Sequence, residues 1–422
     1  MNYKKTTLKN GLRIITAPMT GTQTATVIVM TGVGSRYETE AEAGLSHFIE
    51  HMMFKGTEKR PTTLVIAEEL DAIGGEFNAF TSKDATAYYA KVDAQHIETA
   101  MDVLVDMYLH SKFEEAEIKK EKGAIIQELK MYQDMPARRI GDVFESLLYQ
   151  NNHLGREIVG YKKTVENFKR QDFVDYMEKF YVANNTVICV AGKFQEKTIL
   201  KKLEGYFSQM KKGKKREMEK IVETQKAPAV RIEYKKTDQT HLALGNRAYR
   251  ADHKNRFALS LLSIILGGNM SSRLFIEVRE RRGLAYRIKS NTETYDDCGY
   301  FVTQAGVDHG KLEMAVGVIL EEYRKIATQR IEEKELQKAK DFLKGSAVMH
   351  LESSDEVAMF FIEQTLGKKK ILTLEELFAK IDRVTTKDIL RVAGEVLKEE
   401  TLNLAIIGPH KNEAKLKALL KY

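Results

Sequence analysis

The sequence predicts an α+β fold in two homologous halves, each a mostly antiparallel sheet packed with helices, and three observations carry that reading. Strand pairs are interspersed with runs of helix instead of alternating one for one, which favours α+β layers over a regular βαβ sheet. The pattern restarts after residues 208–228, a Lys-rich stretch without apolar periodicity that closes at "KAPA". Segments also recur. "YYAKVDAQHIETAMDVLVDM" (88–107) resembles "TQAGVDHGKLEMAVGVILEE" (303–322) at an offset of 215, and "FEEAEIKKEK" (113–122) resembles "IEEKELQKAK" (331–340) at an offset of 218. Two offsets this close indicate one duplicated unit with a small insertion. At 422 residues the chain is too long for one ordinary core. The division that follows is an N-terminal domain 1–210, a linker 211–228 and a C-terminal domain 229–422.

Taken in order, "TLKNGLRIITA" is a hairpin, with Asn-Gly between short alternating runs. "TATVIVMTGV" is a β-branched strand. Residues 43–54 read as a helix, and "PTTLVIAEELDAIGG" as a second one, with Thr near its start and Gly74 as its stop. "EFNAFTSKDATAYYAKV" reads as two strands joined near Ser82–Asp84. Helices follow at about 96–110, 114–134 and 136–150, then a strand near 185–192 and a helix near 195–207. Beyond the linker, "VRIEYKKT" and "THLALGNRAY" are strands and "RFALSLLSIILGG" is a helix.

Composition narrows the class. The chain is globular, with 43% hydrophobic and 30% charged residues. Cys189 and Cys298 are too few for a disulfide framework and point to a reducing compartment. No apolar run approaches 18 residues and the N-terminus lacks a signal-peptide h-region, so we expect a cytoplasmic protein with no membrane segment. The net charge of +7 is concentrated in "KKGKKREMEK" and "GKKKI", which read as solvated lysine runs. A nucleic-acid partner is not expected, because no recognisable binding module or interleaved aromatic residues accompany that charge.

The chemistry lies in "LSHFIEHMMFKGT". At about 100° per residue, His47 and His51 are ~40° apart on a helix and Glu50 is ~60° to the other side of His47, so all three project from one face. Imidazoles at i and i+4 can share one Zn²⁺ with a glutamate beside it. The repeat sharpens the reading. At the 215 offset His47, Glu50 and His51 fall on Leu262, Ile265 and Leu266. The fold therefore does not require polar groups there, and burying them unpaired costs several kcal/mol. Phe48, Ile49, Met52 and Met53 are left to pack the helix. A zinc site needs a third protein ligand. Glu114, Glu115, Glu117, Glu121 and Glu128 are all candidates, and spacing alone does not choose among them.

His-x-x-Glu-His is the zinc motif of the inverzincins. With the duplicated halves and the length, the chain resembles a small insulinase/pitrilysin-family metallopeptidase along essentially its whole length. It is most similar to the mitochondrial processing peptidase β subunit and its bacterial relatives. The resemblance implies a clamshell of the two halves and one Zn²⁺ per chain. It implies Glu128, in "GAIIQELKMYQD" and 77 residues after His51, as third ligand. Glu121, seven residues earlier, takes a supporting catalytic role. "FNAFTSKDATAYYAK" is similar to the family's substrate-binding edge strand, implying that Asn78, Ala79 and Phe80 contact the peptide. "RLFIEVRERRGLAYRIKS" matches an arginine and tyrosine seven apart, Arg279 and Tyr286, implied to reach the substrate from the second half. The glycine-rich loop of the family's non-catalytic partner is replaced here by "LGGNMSSRL". The implied activity is zinc-dependent endoproteolysis of unfolded peptides bound as a strand, with Glu50 as general base. The peptides would be enclosed in a chamber made by two chains, a homodimer by default and a heterodimer as the rival. The alternatives are a non-catalytic structural or regulatory subunit and a basic nucleic-acid-binding protein.

Overall fold

The computed structural model describes residues 2–214, 218–367 and 370–421. Its strands form two sheets. The first contains β1 (Lys4–Thr7), β2 (Arg13–Pro18), β3 (Thr24–Thr31), β4 (Glu76–Thr81), β5 (Thr86–Asp93) and β6 (Thr186–Gly192), in the order β1-β2-β6-β3-β5-β4. The second contains β7 (Ala229–Tyr234), β8 (Thr240–Ala248), β9 (Ala285–Thr294), β10 (Gly299–Val307) and β11 (Leu402–Gly408), in the order β7-β11-β8-β10-β9. Each sheet has one parallel pairing, β2 with β6 and β7 with β11, and is otherwise antiparallel. The second order repeats the first strand for strand once β1 is set aside. The duplication read in the sequence is thus a duplication of topology.

The helices that matter for function are α1 (Leu45–Met52), α2 (Thr63–Asp71), α3 (Ile97–His110), α4 (Glu115–Gln133), α5 (Pro136–Leu148), α6 (Lys162–Asn167), α7 (Arg170–Phe180), α8 (Glu196–Phe207), α9 (Arg256–Gly267), α10 (Leu312–Thr328), α11 (Glu333–His350) and α12 (Ser354–Gly367). Of these, α1 to α5 and α8 fall within a few residues of the helices expected over the first half, whereas α6 and α7 were not expected. Among the described residues, no helix is long and apolar enough to cross a membrane. Cys189 and Cys298 are both buried and form no disulfide.

The compact units are not the contiguous stretches 1–210 and 229–422. One unit holds residues 1–130, 156–219 and 348–374, and the other holds 131–155, 220–347 and 375–422. The helix following α4 in the first repeat, α5, belongs to the second unit. Its counterpart following α11, α12, belongs to the first. Periodicity reveals that a helix has an apolar stripe, but not which sheet that stripe will cover. Part of the expected linker, 215–217, lies outside the described residues. Flanking positions 211–214 and 218–228 carry no helix or strand.

In the first unit, α1 and α3 lie on one face of the sheet and α12 on the other. Side chains of β5 alternate accordingly. Tyr88 meets Phe54 and Tyr108, whereas Ala87 and Tyr89 join a cluster with Val357, Phe361 and Ile362 of α12. Ser354, at the start of α12, exchanges hydrogen bonds with the Thr24 and Thr26 hydroxyls at 2.9 and 2.8 Å. In the second unit, α5 occupies the equivalent face. Its Ile140, Val143, Phe144 and Leu148 pack with Ala243, Tyr300, Val302, Ala405 and Ile407. The buried Glu145 carboxylate accepts from Tyr295 and Tyr300 at 2.5 and 2.9 Å. The opposite face of that sheet carries α9 and α10 in a separate apolar cluster.

Candidate metal centre

Helix α1 begins at Gly44, whose φ of +96° an L side chain rarely adopts. Its first free amides are satisfied by a side chain from outside the helix. The buried Glu38 carboxylate accepts from the N–H of Gly44 at 2.8 Å and of Ser46 at 2.7 Å, a capping arrangement in which negative charge meets the helix's positive end. Burial pushes the Glu38 carboxyl up to about 7, against the opposing pull of those hydrogen bonds. The Ser46 hydroxyl is tied to Tyr176 of α7 at 2.7 Å. Phe48, Ile49, Met52 and Met53 are buried, with the Phe48 ring 4.8 Å from that of Phe173. This packing turns the polar stripe of α1 toward α4.

There His47 Nε2 lies 3.5 Å and His51 Nε2 lies 3.4 Å from Glu128 Oε2. The ligand atoms of the three residues are all within 4.8 Å of one another. Four ligands placed tetrahedrally at zinc's ~2.0–2.1 Å bond lengths are separated by roughly 3.3–3.4 Å, so the two separations from Glu128 stand close to the edges of such a tetrahedron, and the donor set fits the ion. Of the remaining glutamates, Glu114 faces Lys112 at 3.3 Å and Glu117 faces Lys120 at 2.5 Å. Glu115 is exposed on the first turn of α4.

Glu121, two turns before Glu128, divides its oxygens. Oε1 accepts from His51 Nδ1 at 2.8 Å, and Oε2 meets Lys55 Nζ at 2.5 Å. A proton on Nδ1 leaves the Nε2 lone pair toward the shared donor point, the tautomer a metal-binding imidazole requires. Burial opposes ionisation of Glu121, but the hydrogen bonds to His51 and Lys55 outweigh it and hold the carboxyl below its usual range. His47 differs. Its Nδ1 is buried without a hydrogen-bond partner among the described residues, so the expected acceptor exists for one histidine and not the other. Among the described residues, the centre gathers three carboxylates, Glu50, Glu121 and Glu128, against the ammonium of Lys55. With both imidazoles neutral, the double negative charge left over is what one divalent ion cancels.

Glu50 stands one turn after His47 and next to His51 on α1, and its Oε2 accepts from the Thr81 hydroxyl at 2.5 Å. Asn78, Ala79 and Phe80 lie on β4, an edge of the sheet. Phe80 packs its ring against the α12 cluster, and the Ala79 N–H donates to Asn78 Oδ1 at 2.8 Å. Arg279 and Tyr286 lie together in the second unit. A π-helical turn over Phe275–Glu280 carries Arg279, whose guanidinium stands 4.7 and 4.9 Å from the Phe275 and Tyr286 ring centroids. Tyr286, at the start of the edge strand β9, is 79% exposed.

Sequence reasoning passed over Lys55 and Thr81, although both lie inside quoted motifs. For Thr81 the strand's alternation was the usable signal. For Lys55 there was none, because its direction depends on the fold of the loop after α1.

Comparison with known proteins agrees along the whole chain. Residues 13–162 match the insulinase (peptidase family M16) domain, and residues 167–343 match the peptidase M16 inactive domain. A Bacillus subtilis protein named an uncharacterized zinc protease is 37% identical over 97% of this chain and 99% of its own length. One of the same description from Rickettsia felis is 36% identical over 97% and 98%. Among solved structures, a protease from Helicobacter pylori superposes with a TM-score of 0.89 at 23% identity, covering 97% of this chain and all of that one. A chain of complex III2 from Candida albicans does so with 0.85 at 18%, covering 99% of each. With matches to both family domains and relatives of this identity over nearly all its length, the chain belongs to the insulinase family, peptidase family M16.

Proposed function

We propose that the chain is a zinc-dependent endopeptidase that hydrolyses unfolded peptides laid as a strand along β4. The observation that carries this is the convergence of His47, His51 and Glu128, with their ligand atoms all within 4.8 Å of one another, and Glu50 beside them. Zn²⁺ held there supplies Lewis acidity that polarises a carbonyl and makes water easier to deprotonate. Glu50 takes the proton from the attacking water and delivers it to the leaving amine. Glu121 holds the His51 ring in its metal-binding tautomer. The edge of β4 around Asn78, Ala79 and Phe80 offers main-chain hydrogen bonds, which recognise an extended peptide with little regard to its sequence, the peptide displacing Asn78 Oδ1 from the Ala79 N–H. Arg279 and Tyr286 are assigned to substrate carbonyls or the developing oxyanion on the strength of the family likeness.

The intact donor set favours this reading over a non-catalytic structural subunit. In the decisive experiment Glu50→Gln retains zinc by elemental analysis and loses cleavage of a quenched fluorescent peptide, whereas His51→Ala loses both. Wild-type turnover in Glu50→Gln removes the base assignment. Undiminished zinc in His51→Ala removes that ligand. We further propose a cytoplasmic homodimer that encloses its substrate, holding one Zn²⁺ per chain. Sedimentation of the purified chain at monomer mass would exclude the dimer.

A further inference from the structure

We propose that Thr81 is the positioning residue for Glu50, fixing that carboxylate to the strand on which the peptide is laid; this rests on the reading of Glu50 as the base. The register of β4 against β5 sets Ala79 opposite Tyr88 and Thr81 opposite Thr86. Alternation along β4 then separates two sets of side chains. Phe77, Ala79 and Thr81 face α1, as the 6.4 Å approach of the Phe77 and Phe54 rings marks. Asn78 and Phe80 face the α12 side, where Phe80 is packed.

Thr81 Oγ1 lies 2.5 Å from Glu50 Oε2, and among the described residues it makes the one hydrogen bond to that side chain. The protons can be followed. The hydroxyl of Thr86, 3.5 Å from that of Thr81, donates to the Val33 carbonyl at 3.0 Å. A carboxylate only accepts, so the Thr81 proton goes to Glu50 in a charge-assisted bond of the stronger kind. The β-branch of threonine restricts χ1 and so restricts where that hydroxyl points. A glutamate on an eight-residue helix has three rotatable bonds of its own. Thr81 removes that freedom and refers the carboxylate to β4. The same strand that takes up the peptide through its free edge therefore aims the group acting on it, and any adjustment of β4 on pairing is passed to Glu50.

The test compares Thr81→Val, which keeps the shape and deletes the hydroxyl, with Thr81→Ser, which keeps the hydroxyl. Thr81→Val should hold zinc content and KM near wild type while kcat falls by roughly ten- to a hundredfold, part of what a positioned base contributes. Thr81→Ser should recover most of kcat. In the zinc-free protein, the ¹³C-labelled Glu50 carboxyl resonance, identified by its loss in Glu50→Gln, should move in Thr81→Val and return in Thr81→Ser. Wild-type kcat in Thr81→Val beside an inactive Glu50→Gln overturns the proposal and leaves the base in place. Equal losses in the valine and serine variants also overturn it, because they trace the effect to packing. Turnover retained by Glu50→Gln removes the base itself, and the role of Thr81 with it.

Discussion

The imidazole of His51 faces Glu121 through one nitrogen and Glu128 through the other, and this sets how the centre answers to pH. Burial works against charge on His51, but the hydrogen bonds and charges of the two glutamates outweigh it and push the imidazole up to about 9 when no ion is bound. A folded-state value above the unfolded one stabilises the metal-free protein fully below the ordinary histidine range, and that contribution is lost as pH rises through about 9. Zinc needs the neutral ring, so binding must expel the proton. Between the two values, apparent zinc affinity should rise about tenfold per pH unit and level off above the upper one. Calorimetry at about pH 7.5 in two buffers of different ionisation enthalpy should report close to one proton released from His51; buffer-independent heats would contradict this. The His-x-x-Glu-His stripe was legible in the sequence, because the second repeat shows aliphatics in its place, whereas spacing left Glu128 open among five glutamates and only the family resemblance singled it out. Lys55 was not. It follows a helix end in a loop where Gly56 takes a φ of +128° and the 2%-exposed Arg60 is clasped by Asp102 and Asp106 at 2.6 and 2.9 Å. The direction of a side chain set by such a clasp has no periodic signature.

At the scale of elements, α12 shows what the sequence pattern reaches and where it stops. Its apolar residues Val357, Ala358, Phe361 and Ile362 are fully buried against Ile15, Ile28, Met30 and Val187, and Arg13 donates to the Thr365 carbonyl at 2.9 Å. Phe361→Ala should therefore destabilise the first unit by about 3–5 kcal/mol, read as a lowered midpoint in urea with an unchanged slope. A loss under ~1 kcal/mol would mean that α12 is not an integral part of that core. Helix and strand positions were legible because burial imposes a period of 3.6 or 2 on the residues. The π-helical turn at Phe275–Glu280 was not, since "FIEVRE" is compatible with an ordinary α-helix. The shift of hydrogen bonding, Arg281 N–H to the Ile276 carbonyl at 2.9 Å, appears only in the folded backbone.

For the whole molecule, each repeat supplies the helix that completes the other repeat's unit: α5 to the second and α12 to the first. The repeats were legible as similar segments at near-constant offset. The exchange was not, because two copies of one pattern offer each helix two equivalent sheets. Residues 1–210 made alone should expose the apolar face of Ile15, Ile28, Met30 and Val187, and 229–422 alone that of Ala243, Val302, Ala405 and Ile407. Each fragment should be insoluble or bind a hydrophobic dye, while the two co-expressed should purify as a one-to-one complex. Either fragment folding cooperatively alone would contradict this. The exchange also bears on how such a chain can arise. Two separate copies of the repeat, each lending the helix that follows α4 or α11 and borrowing its counterpart, would cover both sheets in the same way. Joining two such copies end to end would turn an obligatory partnership between molecules into a covenant within one chain, and would leave one copy free to carry His47, Glu50 and His51 where the other carries Leu262, Ile265 and Leu266.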